Sequence, residues 1–258
     1  MYENPMKAGI ARGELQIGTW ISLIRNPAIL VLLKNAGLDF ARIDMEHSGL
    51  SIESLVDMAT LARQLQFPIA VRPPYANREW ITRLLDCGVW NLHCPQVENA
   101  AHAAEIVKCT RYAPRGVRGI SGISPATEYE SMPPAERLRF ANDQVHVTVM
   151  FETDEAFDDL DEIAAMDGID ALTLGPNDLA QNLGVFGKPE MNEVLDERRD
   201  MVLQAANKYG KTCAVLVRSH EQAQQWKEAG ALLLVYKSEV EVLCEGYRGA
   251  MQTIRGTD

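Results

Sequence analysis

Residues 146–178 read HVTVMFETDEAFDDLDEIAAMDGIDALTLGPND. An apolar run (146–152) ends in Glu152. A helical pattern over 153–166 stops at Asp167-Gly168, and a second apolar run (171–176) leads to Asp178. Both runs are continuously apolar rather than alternating, as expected of parallel strands covered on both faces. The unit is therefore strand–helix–strand, and the same alternation extends along the whole chain. Strands are expected near 18–23, 40–46, 68–74, 91–97, 146–152, 171–176, 212–217 and 231–237. Helices are expected over 27–34, 51–65, 78–87, 99–109, 153–166, 190–209, 219–229 and 238–254, several of them ending at a glycine such as Gly88, Gly210 or Gly230.

Eight strands, each followed by a helix, favour a closed (β/α)8 TIM barrel over an open doubly wound sheet, although periodicity alone does not report closure. The length of 258 residues suits one such domain over 1–258. One long excursion, about 110–145, separates the fourth and fifth strands and carries RYAPRGVRGISGISPATEYESMPP. A long loop of this kind is expected to act as a lid or substrate wall.

The formal net charge of -11 argues against nucleic acid or an anionic membrane surface as a partner. Cys87, Cys94, Cys109, Cys213 and Cys244 are scattered, odd in number and form no CxxC pair, which argues against disulfides and zinc-thiolate sites. Residues 1–14 hold no long apolar segment, and no run is long enough for a membrane span. A cytoplasmic location is expected.

Four apolar runs end in ionisable residues: FARIDMEH (40–47), PIAVRPP (68–74), VTVMFET (147–153) and ALTLGPND (171–178). A buried strand that ends in a charge needs a partner or a role for it. In a barrel, all these ends meet at one rim. Glu152 and Asp178 make an oxygen-rich pair suited to Mg²⁺ or Mn²⁺ rather than zinc. His47 is the candidate base, with Asp44 to orient its ring. Arg72 is a candidate clamp for a developing oxyanion, or else an ion-pair partner of Glu46 or Asp86. The turn Gly175-Pro176-Asn177-Asp178 offers backbone N–H groups to a substrate carboxylate. Leu216, on strand seven, is a candidate substrate-binding residue. Lys237, ending strand eight, is a candidate substrate-binding residue for a distal charge; a Schiff-base role or an ion pair with Glu239 are its alternatives.

Several segments together resemble the HpcH/HpaI family of metal-dependent (class II) pyruvate aldolases. They are GTWISL (18–23), IDMEHSGLS (43–51), VRPPYAN (71–77), LLDCGVWNLHCPQVENAAHA (84–103), RYAPRGVRG (111–119), the 151–184 stretch around FET and LGPNDLA, and GALLLVYK (230–237). The resemblance implies a barrel of the phosphoenolpyruvate/pyruvate-domain type, often a hexamer of swapped dimers formed through the last helix. It implies that Glu152 and Asp178 ligate a divalent metal (Mg²⁺, Mn²⁺ or Co²⁺). Arg72 would lie beside the keto oxygen of a 2-oxo acid. His47, held by Asp44 with Asp86 as a further partner, would act as acid/base through a water, and Trp20 would line the pocket. The implied reaction cleaves or forms a 4-hydroxy-2-oxo acid through a pyruvate enolate, with an aldehyde as the other partner.

Three departures from the family pattern concern the substrate pocket. Met150 stands where many members carry Gln. Tyr236-Lys237-Ser238-Glu239 replaces a Gly-(Ser/Thr)-Asp pattern. The 119–130 segment lacks an arginine, with Pro125 and Ala126 near its place. These changes leave open decarboxylation of, or condensation with, a related 2-oxo acid such as oxaloacetate. A non-catalytic ligand-binding relative is the remaining alternative.

Overall fold

The computed structural model describes residues 3–256; residues 1–2 and 257–258 of the expected domain lie outside the described residues. Helix α1 (Pro5–Ala11) comes first, followed by β1 (Gln16–Ile21), α2 (Ala28–Asn35), β2 (Phe40–Asp44) and α3 (Ile52–Leu65). Next come β3 (Ile69–Arg72), α4 (Arg78–Asp86), β4 (Asn91–Cys94), α5 (Ala100–Thr110) and α6 (Pro134–Gln144). The chain continues through β5 (His146–Phe151), α7 (Leu160–Ala165), β6 (Ala171–Leu174), α8 (Pro176–Asn182) and α9 (Met191–Lys208). It ends with β7 (Thr212–Val217), α10 (His220–Glu228), β8 (Leu233–Ser238) and α11 (Glu239–Arg255).

The eight strands close in sequence order, and β8 returns to β1. Every neighbouring pair is parallel. The expected (β/α)8 barrel is therefore closed, and the open sheet is excluded. The apolar runs are continuous because both strand faces are covered: β2, β4, β5 and β6 are buried at every position. Helix starts follow local chemistry. The hydroxyls of Ser51 and Ser219 accept the N–H groups of Ser54 and Gln222. Ser238 and Glu241 form a reciprocal capping box.

A second apolar cluster fills the barrel interior around Met6, Phe40, Ala171, Ala214, Leu233 and Val235. Met6 comes from α1, a helix the apolar pattern does not announce. Asn4 caps α1 and donates from Nδ2 to the Asn91 side chain at the start of β4 (2.7 Å). Helix α1 thus closes the end of the barrel where the strands begin.

The long excursion lies at that same end. It follows α5, and helices run antiparallel to the strands, so the chain leaving α5 emerges opposite the strand carboxyl ends. Arg118 in the excursion pairs with Asp86, the last residue of α4 (3.0 Å). Arg63 donates to the Gly88 carbonyl (3.0 Å) where Pro125 packs close by. The segment is therefore no lid over this barrel's own strand ends, and α6 forms within it.

Two histidines sit in the barrel interior, His93 on β4 and His146 on β5, and their ring nitrogens have no hydrogen-bond partner among the described residues. Burial depresses both. His146 falls to about 4, with Lys7, Arg42 and Arg111 acting in the same direction against the pull of Asp170. Both are therefore neutral when folded, whereas an unfolded histidine gains a proton below pH ~6.5. Because the unfolded state binds more protons in this window, stability falls as pH drops from about 6.5 towards 4. Removing the group, as in His146→Gln, should reduce that loss by on the order of 3 kcal/mol across the window. Urea unfolding of both proteins at pH 7 and pH 4.5 checks this, and parallel losses would refute it.

Candidate active site

Asp44 and Arg72 end neighbouring strands in direct register. Arg72 donates from Nε to Asp44 Oδ1 (3.0 Å) and from Nη2 to Oδ2 (2.8 Å), a bidentate fork. Asp44 Oδ1 also accepts the backbone N–H groups of Glu46 (3.0 Å) and His47 (3.2 Å). Burial acts to raise the Asp44 carboxyl. The Arg72 hydrogen bonds and charge, with the two N–H groups, outweigh it and hold the group below its ordinary value. Asp44 therefore fixes the turn that carries His47, not its ring: among the described residues no hydrogen bond joins carboxylate and imidazole. The ring is exposed, and its Nε2 lies 3.7 Å from Glu46 Oε2.

Glu46 completes the cluster. Its Oε2 lies 3.3 Å from Arg72 Nη1, and its Oε1 accepts from Gln96 Nε2 (3.0 Å). Burial raises its carboxyl, with the Arg72 charge opposing. Gln96 adopts a left-handed backbone (φ 51°), strained for a residue other than glycine and common where a site imposes geometry. The Arg72 guanidinium also stacks 4.6 Å from the Trp20 ring centre.

Glu152 follows β5 and is 3 % exposed, with no hydrogen-bond partner at Oε1. Burial pushes its carboxyl up to about 8, and the negative charges of Asp178 and Glu46 push the same way. Arg72 and the Gln96 backbone oppose this only in part. Gly175 gives the carboxylate its room: a Cβ there would stand 2.4 Å from Glu152 Cγ. A buried carboxyl with one oxygen unpaired and a second carboxylate near enough to repel it is a position a cation would relieve. The donors are oxygens, which suit a hard divalent ion. Among the described residues no group of three or more His, Cys, Asp or Glu side chains forms a metal cluster. The protein would thus supply Glu152 and Asp178, leaving the other positions to water and substrate.

A cavity of about 270 Å³ opens at these strand ends. Trp20, His47, Arg72, Met150, Leu216 and the 175–178 turn, all expected from sequence, line it. Three residues missed from sequence, Arg42, Thr173 and Leu174, also line it. A period of two from Asp44 would have placed Arg42 on the inner face of β2. Glu46 was noted only as an ion-pair partner, and Gln96 carried no signal beyond the preceding Pro95.

The structure corrects three further expectations. Asp86 lies at the opposite end of the barrel, paired with Arg118 rather than with His47 or Arg72. Lys237 points outward to Glu245 on α11, because the β1–β8 register shifts between Gly18 and Trp20 and Lys237 takes a left-handed φ of 47°. Lys237 accordingly does not line the cavity in this structure. In the 175–178 turn, the Gly175 N–H is already donated to the Phe151 carbonyl (2.9 Å), and Pro176 has none. Only the amides of Asn177 and Asp178 remain.

A profile of the HpcH/HpaI aldolase/citrate lyase family matches residues 16–243. The chain is 34% identical over 243 residues to a 4-hydroxy-2-oxo-heptane-1,7-dioate aldolase of Escherichia coli, covering 93% of this chain and 91% of that one. Its fold superposes on an HpcH/HpaI aldolase from Desulfitobacterium hafniense DCB-2 with a TM-score of 0.91 at 29% identity, covering 98% and 97% of the two chains. An HpcH/HpaI aldolase/citrate lyase family protein from Burkholderia cenocepacia J2315 gives 0.87 at 30% identity, covering 98% and 99%.

The Asp44–Arg72 pair is nearly dry, so its loss should strand a buried cation. Asp44→Ala is expected to cost about 3–5 kcal/mol of unfolding free energy by urea denaturation. A cost below about 1 kcal/mol would mean that Glu46 alone suffices for Arg72.

Proposed function

The chain belongs to the HpcH/HpaI aldolase/citrate lyase family, and we propose that it is a class II carbon–carbon lyase that cleaves or forms 4-hydroxy-2-oxo acids through a pyruvate enolate. The observation that carries this reading is the buried Glu152 carboxyl, with its Oε1 unpaired and the negative charge of Asp178, a cavity-lining residue, acting on it. Glu152 and Asp178 would hold Mg²⁺, Mn²⁺ or Co²⁺. Bound there, the ion supplies a Lewis acid that makes a 2-oxo acid easier to enolise.

The remaining work falls to the chain's own residues. Arg72 presents a guanidinium already fixed by Asp44, so its orientation costs little when negative charge develops on the keto oxygen. His47, exposed at the cavity, accepts the proton of the 4-hydroxyl oxygen through a water as the C3–C4 bond breaks, and returns it in the reverse direction. The amides of Asn177 and Asp178 face the carboxylate of the 2-oxo acid. Trp20, Met150 and Leu216 wall the space for the substrate carbon chain. Met150, on the cavity wall, offers no hydrogen bond to the substrate, which keeps decarboxylation or condensation of a related 2-oxo acid as the second reading.

A homo-oligomer, with a hexamer as the expected form, belongs to the same proposal. Helix α11 is anchored at its start, where Glu239 accepts the N–H groups of Ser22, Leu23 and Ile24. Beyond that, Tyr247, Met251 and Ile254 are exposed apolar side chains. A cytoplasmic setting accords with the five free cysteines. No helix among the described residues is long and apolar enough to cross a membrane.

Two measurements test the proposal. In D₂O, the methyl signal of pyruvate should decay only when Mg²⁺ or Mn²⁺ is added to metal-stripped protein, and not with Glu152→Ala or Asp178→Ala; full exchange in either variant would remove the assigned site. Separately, Gly175→Ala should displace the Glu152 carboxylate and weaken Mn²⁺ binding, read by electron paramagnetic resonance, at least tenfold. Unchanged Mn²⁺ affinity would place the ion elsewhere.

A further inference from the structure

Arg42 lies on the inner face of β2, two residues before Asp44 and so about 6.6 Å deeper along the strand. It is 3 % exposed, yet its guanidinium faces the cavity that Arg72 and Asp178 also line. No carboxylate and no hydrogen-bond acceptor among the described residues meets it, and its Nε is buried without a partner. Its surroundings are aromatic or basic: the Trp20 ring centre at 5.1 Å, with His93, His146 and the Arg72 charge close enough to be felt. Burial, with Arg72 adding to it, pushes this guanidinium down to about 9.

The other buried arginines differ. Arg63 donates to the Gly88 carbonyl, Arg111 to Thr110 and Gly168, and Arg118 to Asp86. Arg72 is held by Asp44 and approached by Glu46, so its charge is already matched. Arg42 has only the Trp20 face, and a cation–π contact offsets part of the desolvation cost of a buried cation. The rest of the cavity floor does not serve: the Thr173 hydroxyl is donated to the Ala214 carbonyl, and Met150 has no polar hydrogen.

We propose that Arg42 is a substrate-binding residue that receives a carboxylate of the 2-oxo acid inside the barrel. The inference rests on reading the site as one for 2-oxo acids. A guanidinium fork matches a carboxylate in two parallel hydrogen bonds, and a ligand carboxylate supplies the counter-charge the protein lacks here. The carboxylate is either the one next to the keto group or a second one at the far end of the substrate. In both cases the floor selects an acidic group over an apolar chain end.

Calorimetric titration of the Mg²⁺-loaded wild type, Arg42→Met and Arg42→Lys with pyruvate and with 2-oxoglutarate tests this. Arg42→Met should weaken binding at least tenfold, and Arg42→Lys should retain part of it. Equal loss for both ligands assigns Arg42 to the shared carboxylate; loss for 2-oxoglutarate alone assigns it to the distal one. Arg42→Met should also melt no lower than wild type without ligand, while losing the ligand-induced rise in melting temperature. A purely structural arginine would give a less stable variant with unchanged affinity, and that result overturns the proposal, as does a wild type that binds neither ligand. Should Arg42→Met fail to fold, wild-type affinity for both ligands in Arg42→Lys, whose single ammonium cannot form the fork, overturns it too. Pyruvate methyl exchange with unaltered Arg42→Met affinity would sink Arg42 alone. Lost affinity in a protein that exchanges nothing would sink the lyase reading and leave Arg42 standing.

Discussion

The Arg72–Asp44 fork organises the mouth of this barrel. It locks the carboxyl ends of β2 and β3 together at matched register. Through the same carboxylate it folds the 44–47 turn, whose two N–H groups would otherwise be unsatisfied. Arg72, so held, presents one face to Trp20 and its third nitrogen to Glu46. Glu46 in turn engages Gln96 after β4. One ion pair thus connects four consecutive strands. This accounts for the strained Gln96 backbone, since its side chain is tied to a group whose own position is already fixed.

The charges at the mouth are unequal. Asp44, Glu46, Glu152 and Asp178 meet one matched cation, Arg72. The imbalance falls on Glu152, the most enclosed carboxyl of the group with an oxygen left unpaired, and it responds by holding its proton up to about pH 8. A site built to be neutral in isolation would bury fewer acids or pair them. This one holds excess negative charge at the rim and excess positive charge, Arg42, one layer below. A divalent ion at the rim and a carboxylate at the floor would correct both, and a metal-chelating 2-oxo acid is a ligand of that polarity.

The fold was legible because a parallel strand covered on both faces leaves an uninterrupted apolar run, and all eight runs became strands. The rim residues were legible for a related reason: Arg72, Glu152 and Asp178 interrupt or follow such runs, where a charge needs a purpose. What escaped depended on direction rather than composition. The excursion between β4 and β5 looked like a lid, but its face is decided by whether it precedes or follows α5. Lys237 lies next to the last residue of β8, close to the expected strand end, yet an irregular register turns it outward. Asp86 ends a helix, so it falls at the far end of the barrel. Helices α1 and α6 are short or rich in polar residues, and tertiary contacts such as Met6 in the interior and Asn142 with Tyr112 hold them in place.

The interior below the site follows from the same electrostatics. Arg42, His93 and His146 stand close together, and a barrel this narrow cannot hold three cations without water. Burial resolves the conflict by keeping both imidazoles neutral, which leaves Arg42 as the charged member. Helix α1 makes that outcome possible: Asn4 and Met6 seal the lower end, so water does not reach the histidines from beneath. Among the described residues, the approach to the interior charge is then through the cavity at the strand carboxyl ends. A ligand entering there passes the Glu152–Asp178 carboxylates before it meets Arg42. On the proposed reading the barrel would order its contacts by depth, with the reacting end of a 2-oxo acid held between a negative rim and a positive floor.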